Sequence, residues 1–455
     1  MASRFLKTAC CADMDGLLPA EVRSGWQAVL SLHVTWLVWT GLTKGLGVML
    51  PALQKDFESS TWLVGWTIAI INGITDFAGP LAGPLEVLLG TRLVVMVSGV
   101  LIGGSLIASS LATSVTQLAL SLTLLSGCGI GFANILTRAM VGRFFTTHYT
   151  LANGIGHAGH SVALIVFAPL TQLFLDTYGW RGAMLLLGAI CTHLVPCGAL
   201  LKKGLTTPNH ESRQRDYTLL ADDPSTEDSE ERTVRGNKCC LPELRGVCCT
   251  WAFGLEVFRK TSFYVTAVLY MSNRLVNDLW VIYFVDHVYA KGLSGQDAVT
   301  FTAAAGVSNL IFKIGHGPLV DRGWVSLRAM LAVTTAVAAV CLFTDPWLDS
   351  YWTVMANAVC FMGASGTIGA LLDVYTKDLL GADNLVSAFS WMGVLSGVVT
   401  ISFGFLPGWI YDVSDSYNGA FILMGCIWCV SLLAMATEVV MTRLGWITQQ
   451  SVGKG

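Results

Sequence analysis

Long apolar stretches recur along this chain, and they constrain its fold more than any other feature. A helix needs about 20 predominantly apolar residues to cross a bilayer. Twelve stretches are close to that length or exceed it: 26–50, 62–86, 93–112, 115–138, 150–174, 180–201, 261–286, 297–320, 327–344, 351–376, 384–409 and 417–442. A helix satisfies its backbone hydrogen bonds within one segment, as lipid requires. The sequence therefore predicts an all-α membrane protein with twelve transmembrane helices.

The composition excludes several other classes of protein. Hydrophobic residues make up 53% of the 455 residues and charged residues 13%, whereas soluble domains carry about 25% charged residues. The net charge of −3 provides no basic face for a nucleic acid. The first stretch lacks a short apolar core with a small-residue cleavage site, so we expect a retained helix and not a signal peptide. No phosphate-binding glycine loop occurs, and we expect no enzyme activity, cofactor or metal site.

A polar segment divides the stretches into two sets of six. Residues 202–260 hold ten basic and ten acidic residues among serines, threonines and prolines. That composition cannot bury a core and predicts a disordered linker. The predicted layout is an N-terminal tail, a six-helix half, the linker, a second six-helix half and a C-terminal tail, at 1–25, 26–201, 202–260, 261–442 and 443–455.

The basic residues predict the orientation of the chain in the membrane, because cytosolic connections carry an excess of Lys and Arg. Of the 27 Lys and Arg residues, 21 fall in the tails, the linker and the even-numbered connections. Three fall in the odd-numbered connections, and three lie inside the stretches. In this count Arg138, Arg181 and Arg328, at the ends of their stretches, belong to the adjoining connections. Both termini and the linker are therefore predicted to be cytosolic.

The thirteen cysteines do not suggest a disulfide framework. Seven lie inside apolar stretches, where a free thiol behaves as a small hydrophobic group. The other six form Cys-Cys pairs at 10–11, 239–240 and 248–249, in polar segments near the membrane. We interpret the pairs as reduced cytosolic thiols, with S-palmitoylation as the alternative. Their spacing is a poor match to a zinc site.

Ionisable side chains inside predicted membrane helices are functional candidates, since a charge at bilayer depth costs about 2.5–3.5 kcal/mol. Arg274 and Asp278 are four residues apart, so they share a helix face and are expected to form a structural or gating pair. The predicted helices hold six such groups, three cations and three carboxylates. This balance suits a zwitterionic substrate, or an anionic substrate if one carboxylate is protonated. The six groups are Lys44, Arg274, Lys313, Asp76, Asp278 and Asp373.

Two histidines and one aspartate are further candidates for carrying protons. His157 and His160 are three residues apart on one helix face, and histidine can relay protons near neutral pH. The alternative for each is a packing role with satisfied hydrogen bonds. Asp76 precedes Ala78-Gly79-Pro80 and has no obvious local partner.

One connection resembles a known loop motif. Gly317-Pro-Leu-Val-Asp321-Arg322-Gly323, between the eighth and ninth stretches, is similar to the Gly-x-x-x-Asp-Arg loop of the major facilitator superfamily. The equivalent loop of the first half keeps Gly90 and Arg92. The resemblance implies the major facilitator fold, in which two six-helix halves rock about a substrate site near the bilayer midplane.

A second set of motifs resembles the monocarboxylate transporter family. The segment from Arg143 through Leu151-Ala-Asn-Gly to Gly159 and the corner Tyr178-Gly-Trp-Arg-Gly-Ala183 are similar to that family's motifs. Its Asp-Gly-Gly-Trp-Gly-Trp motif is reduced here to Glu21-Val-Arg-Ser-Gly-Trp26, and its basic cluster is replaced by Thr147-His148-Tyr149. The chain is therefore similar to a divergent member.

The resemblance implies a plasma-membrane transporter of small monocarboxylates and suggests four substrate-binding residues. Lys44 stands where the family holds the substrate carboxylate, and the alternative is that its ammonium group extends to the membrane interface. Asn309 and Lys313 replace an Asp and an Arg, and Asp373 replaces a Phe that limits substrate size. Asp373 is also a candidate proton carrier, and we expect it to pair with Lys313 or Lys44 or to hold a substrate cation. The alternative is a structural pair with Lys377 or Arg274. Because Asn309 cannot titrate, we expect weaker proton coupling than in lactate-type relatives.

Two alternatives stay open at the level of sequence. One is a proton-independent facilitator of a zwitterionic, amino-acid-like substrate, and the other is a non-transporting sensor on a transporter scaffold. The expected partners are a small organic acid, protons and the lipid bilayer, with no nucleic acid. Some members of the family that the chain resembles need a single-span glycoprotein partner to reach the cell surface, and such a chaperone is a further candidate partner.

Overall fold

A computed structural model describes residues 19–57, 70–201 and 254–443, and the regular structure within those ranges is helical. The first half contains six helices or helical segments, one of which, α4, includes a π-helical turn at Ser121–Ser126. They are α1 (Pro19–Phe57), α2 (70–77), α3 (Gly79–Ser110), α4 (Val115–Phe144), α5 (Tyr149–Cys191) and α6 (Leu194–Leu200).

The second half begins with a short 3-10 helix, Gly254–Arg259, and continues through eight α-helices. They are α7 (Thr261–Ala290), α8 (Gly295–Gly315), α9 (Gly317–Asp321), α10 (Leu327–Thr344), α11 (Tyr351–Leu380), α12 (Leu385–Phe403), α13 (Leu406–Ser414) and α14 (Asn418–Arg443).

Within the described ranges, eight helical segments are long and apolar enough to cross a membrane. Together they contain nine of the twelve predicted crossings and the end of a tenth, 62–86. One segment holds the fifth and sixth crossings and breaks at Gly179, and another holds the third crossing with the end of the second and breaks at Gly90. Both glycines have a positive φ, which glycine adopts without a Cβ clash. The first and seventh crossings lie on α1 and α7. These helices carry several polar residues that line the cavity described below, and they are not among the eight.

Two hydrophobic cores correspond to the two halves, but their boundary is not strict. The first core is built on α1 to α6, and it also takes in Phe263 of α7 and Leu385 and Phe389 of α12. The second core contains residues of α7, α8, α10, α11 and α14. The beginning of α12 therefore packs against the first half.

Several hydrogen bonds join the halves at one end of the bundle, where α5 begins and α11 ends. We call this the linker end. Lys377 Nζ donates to the carbonyl of Phe145 at 2.5 Å, and Ser390 Oγ donates to the carbonyl of Gly79 at 2.9 Å. Asp321 accepts from backbone amides at the start of α5. In this conformation the halves are in contact at the linker end.

The structure places two segment boundaries differently from the sequence prediction, those of the N-terminal tail and of the linker. Helix α1 begins at Pro19, so it includes the last residues of the predicted tail 1–25. The prediction of disorder is wrong for Gly254–Arg259, because Phe258 packs edge-on against Phe263 and Trp391 at ring distances of 5.0 and 5.2 Å.

Other predictions lie outside the described residues. These include the rest of the linker, 202–253, and the three Cys-Cys pairs. The seven cysteines inside the apolar stretches are free thiols: Cys128, Cys191, Cys197, Cys341, Cys360, Cys426 and Cys429.

Candidate functional site

A cavity of about 570 Å³ lies between the two halves. Its walls come from α1, α2, α4 and α5 of the first half and from α7, α8, α11 and α12 of the second. Most of the ionisable residues that the sequence indicated meet here. They are Lys44, Asp76, His157, His160, Arg274, Asp278 and Lys313, and Asn309 joins them.

Lys44 and Lys313 reach the cavity from opposite halves. Lys44 lies on α1 and is partly buried, whereas Lys313 lies on α8 with a relative exposure of 5%. Within the part of the chain that the structure describes, neither ammonium group makes a hydrogen bond or an ion pair. An unpaired buried cation is unfavourable, so both groups favour an anion in the cavity.

Asn309 connects three helices. Its Oδ1 accepts from Ser161 Oγ on α5 at 2.6 Å, and its Nδ2 donates to the carbonyl of Met362 on α11 at 2.8 Å. The amide thus holds α8 against both neighbours in addition to lining the cavity. An Asp at this position could not make the second bond while ionised.

Asp373 does not line the cavity and does not pair with Lys313 or Lys44, so that prediction was wrong. Its carboxylate lies behind the cavity wall, with 1% exposure, and Arg138 Nε donates to its Oδ2 at 2.9 Å. Arg138 Nη2 bonds the other oxygen, and His157 Nε2 lies 2.8 Å from Oδ2. The carboxylate is therefore held by two groups of the first half.

Arg138 is the site residue that sequence reasoning missed. Because Arg138 is the last residue of the fourth apolar stretch, the sequence places it with the loop cations, but α4 continues to Phe144. Its side chain is buried, with 2% exposure. The signal was its position between apolar residues, Leu136 and Ala139 among them, which is unfavourable for a charge without a buried partner. The count of loop cations on the linker side falls to 20.

Arg274 and Asp278 are brought together on α7, with Arg274 Nε 3.4 Å from Asp278 Oδ2. The Arg274 guanidinium also lies over the ring of Trp39 on α1, 4.6 Å from its centroid. Trp39 stacks on Trp36 at 4.9 Å. Arg274 therefore contacts the first half as well as its own helix.

The two histidines make different contacts. The ring of His157 lies 4.9 Å from that of Trp36, and His160 meets the same indole edge-on at 5.9 Å. His160 Nδ1 lies 2.7 Å from Thr40 Oγ1. Only His157 of the two contacts a carboxylate among the described residues. Asp76 lines the cavity with 8% exposure and has no ion pair in the described ranges.

The loop motif lies at the linker end. Asp321 bonds the first amides of α5, and Gly317 packs so closely against Leu151 that a Cβ would clash with its backbone. Arg322 lies over the Trp324 ring, 5.5 Å from its centroid. The motif thus joins the second half to the first.

Comparison with known proteins agrees with this architecture. The sequence matches the Major Facilitator Superfamily over residues 29–370. The chain belongs to the major facilitator superfamily. It is a multi-pass membrane protein with the fold of a transporter, and within the superfamily its sequence is similar to monocarboxylate transporters.

Its relatives in this superfamily match over nearly their whole length. The chain is 26% identical to monocarboxylate transporter 12 of Rattus norvegicus over 94% of its own length and 87% of the relative. It is 28% identical to monocarboxylate transporter 11 of Mus musculus, with 89% and 85% covered. The superfamily fold recurs in the proton:xylose symporter XylE bound to 6-bromo-6-deoxy-D-glucose, with a TM-score of 0.68, 16% identity, and 91% and 95% covered.

Proposed function

We propose that this major facilitator protein carries small monocarboxylates across the plasma membrane by alternating access. The observation that carries the proposal is the pair of lysines in the cavity. Lys44 comes from the first half and Lys313 from the second, and neither has a partner among the described residues. The arginines at this site, in contrast, already contact aspartates.

A carboxylate fits this arrangement physically. It offers two oxygens, and an ammonium group is a compact donor that binds a carboxylate by a charge-assisted hydrogen bond. A substrate held by Lys44 and Lys313 together would draw the two halves towards each other around the cavity. Binding energy would then favour the occluded state through which an alternating-access transporter must pass.

The orientation is part of the same proposal. The linker end carries 20 of the loop and tail cations against three at the opposite end, which favours a cytosolic linker end. The conformation described here would then be closed towards the cytosol. Proteolysis of inside-out vesicles should cut within 202–253, and cleavage from outside intact cells instead would overturn the orientation.

A second candidate is a zwitterionic, amino-acid-like substrate taken up without protons. Asp76 favours this candidate, because it is the cavity carboxylate that lacks an ion pair in the described ranges. It could hold a substrate ammonium while a lysine holds the carboxylate. In that case Asp76→Asn would abolish uptake of zwitterions, whereas uptake of simple monocarboxylates would tolerate the change.

The decisive experiment is tracer uptake in cells that express the protein, with and without a co-expressed single-span glycoprotein partner. Labelled L-lactate, pyruvate, alanine and β-alanine should be scanned at external pH 6.0 and 7.5. We expect saturable uptake of a monocarboxylate. Uptake of zwitterions alone would favour the second candidate, and no flux of any probe despite surface expression would favour a sensor.

A further inference from the structure

Arg138 belongs to the first half, but its ion pair, side-chain hydrogen bonds and ring contacts within the described residues are with the second half. Its guanidinium bonds Asp373 of α11 and donates to the hydroxyl of Tyr270 on α7 at 3.3 Å. It also lies over the ring of Phe389 on α12, 3.9 Å from the centroid. Three helices of the second half therefore form a socket around one cation of the first half. Arg138 and Tyr270 also line the cavity, whereas Asp373 and Phe389 do not.

We infer that Arg138 and Asp373 form the gate that keeps the cavity closed at the linker end, and that a proton passed through His157 releases it. The inference rests on the proposed transport cycle, since only a protein that opens at the linker end needs such a gate. Arg138 is then a positioning residue that acts on access and does not hold substrate in this conformation.

Opening at the linker end must pull Arg138 out of the socket. The carboxylate of Asp373, which is 1% exposed, would then remain in an apolar site without its bidentate partner. Removing one member of a buried ion pair is strongly unfavourable, because the other charge stays buried and uncompensated. Protonation of Asp373 removes that charge. A neutral carboxyl group holds the guanidinium less tightly, so the proton favours opening.

His157 gives the proton a route. It lines the cavity, and its Nε2 lies 2.8 Å from Asp373 Oδ2. A proton taken up at Nδ1 allows Nε2 to give its own proton to Oδ2, which leaves His157 neutral, Asp373 neutral and Arg138 charged. The net change is one proton moved from the cavity to Asp373. Other titratable groups interact electrostatically with the members of this cluster. They are Asp76, Tyr149, His160, Tyr270, Arg274, Lys313 and His316.

A labelling assay tests the gate without any substrate. Asn153, on α5, is fully buried and bonds the carbonyl of Ala370 across the halves at 2.8 Å, one turn nearer the linker end than His157. In an Asn153→Cys background, a membrane-impermeant maleimide is added to inside-out vesicles. The labelling rate is compared between pH 6.0 and 7.5 and normalised to denatured protein at the same pH.

We expect Asp373→Asn to raise the labelling rate about tenfold or more and to abolish its dependence on pH. His157→Gln should keep the slow rate at pH 7.5 and lose the acceleration at pH 6.0. The double exchange Arg138→Asp with Asp373→Arg should restore slow labelling, a rescue that a misfolded protein would not show.

Glu438→Gln is the matched control. Glu438 is buried and pairs with Arg328 at 3.2 Å, but both residues belong to the second half, so its loss should not open the gate. The inference is overturned if Asp373→Asn labels at the parent rate, or if Glu438→Gln labels as fast as Asp373→Asn. Because no substrate is used, absence of monocarboxylate uptake would refute the proposed function and leave this result standing.

Discussion

Asp321 of the second half accepts a hydrogen bond from the backbone amide of Leu151 in the first half, at 2.8 Å. The amide of Thr150 donates to the other carboxylate oxygen at 3.1 Å. These are among the first amides of α5, which have no partner within their own helix. A carboxylate at a helix N-terminus is also favoured by the helix dipole. The loop motif therefore closes the linker end by capping a helix of the other half.

We predict that Asp321→Ala destabilises the protein by about 1–2 kcal/mol, since two helix amides lose their acceptor. The stability of Asp321→Asn should lie between those of wild type and Asp321→Ala, because the amide side chain keeps one acceptor oxygen and loses the charge. Thermal unfolding of the purified protein in detergent measures the difference. Asp383→Asn, an exposed change in a linker-end loop, is the control. Equal melting temperatures for Asp321→Ala and wild type would contradict the capping role.

Lys44→Gln and Lys313→Gln should each reduce uptake at least about tenfold while surface expression stays near normal. The reason is that a charge-assisted hydrogen bond to the substrate carboxylate is lost in a buried site. Initial uptake rates of the substrate found by the tracer scan give the measurement. Lys55→Gln, an exposed change near the end of the same helix as Lys44, should have no effect. Unchanged uptake by Lys44→Gln would remove this residue from the binding site.

Uptake should rise as external pH falls from 7.5 to 6.0. At lower pH a larger fraction of the protein has a proton on Asp373, and that proton releases Asp373 from Arg138. Asp373→Asn cannot take up that proton, so its uptake should be flat over this range. Asp378→Asn, on the same helix but paired with Arg328 at 3.5 Å, should keep the wild-type profile. Acid activation that persists in Asp373→Asn would place the proton on another group, with Asp76 the next to test.

A buried charge cluster at the opposite end of the second half should matter for stability alone. Asp345 contacts His287, lies 3.5 Å from Lys291 Nζ and accepts from Asn357 at 2.9 Å. Asp345→Asn should cost about 3–5 kcal/mol, since Lys291 is left without its buried partner. The exposed neighbour Asp349 provides the control change to Asn. A melting temperature and expression level equal to those of Asp349→Asn would show that the cluster contributes little.

The sequence by itself determined the number of crossings and the division into two halves. The breaks at Gly90 and Gly179 fall at the boundaries of predicted stretches, and the pair Arg274 and Asp278 follows from i, i+4 spacing on one helix. Such features are local, because helix periodicity and the cost of charge in lipid act within one segment.

Only the tertiary structure decided which charges meet. Arg138 and Asp373 are 235 residues apart, and nothing in the spacing of either segment indicates the other. The sequence instead suggested Lys313 for Asp373, because both lie in the second half. In the fold, the contact between the two halves at the linker end brings α4 against α11 and leaves Lys313 facing the cavity. Pairing of buried charges depends on which helix faces are opposed, and that is fixed by the packing of the halves.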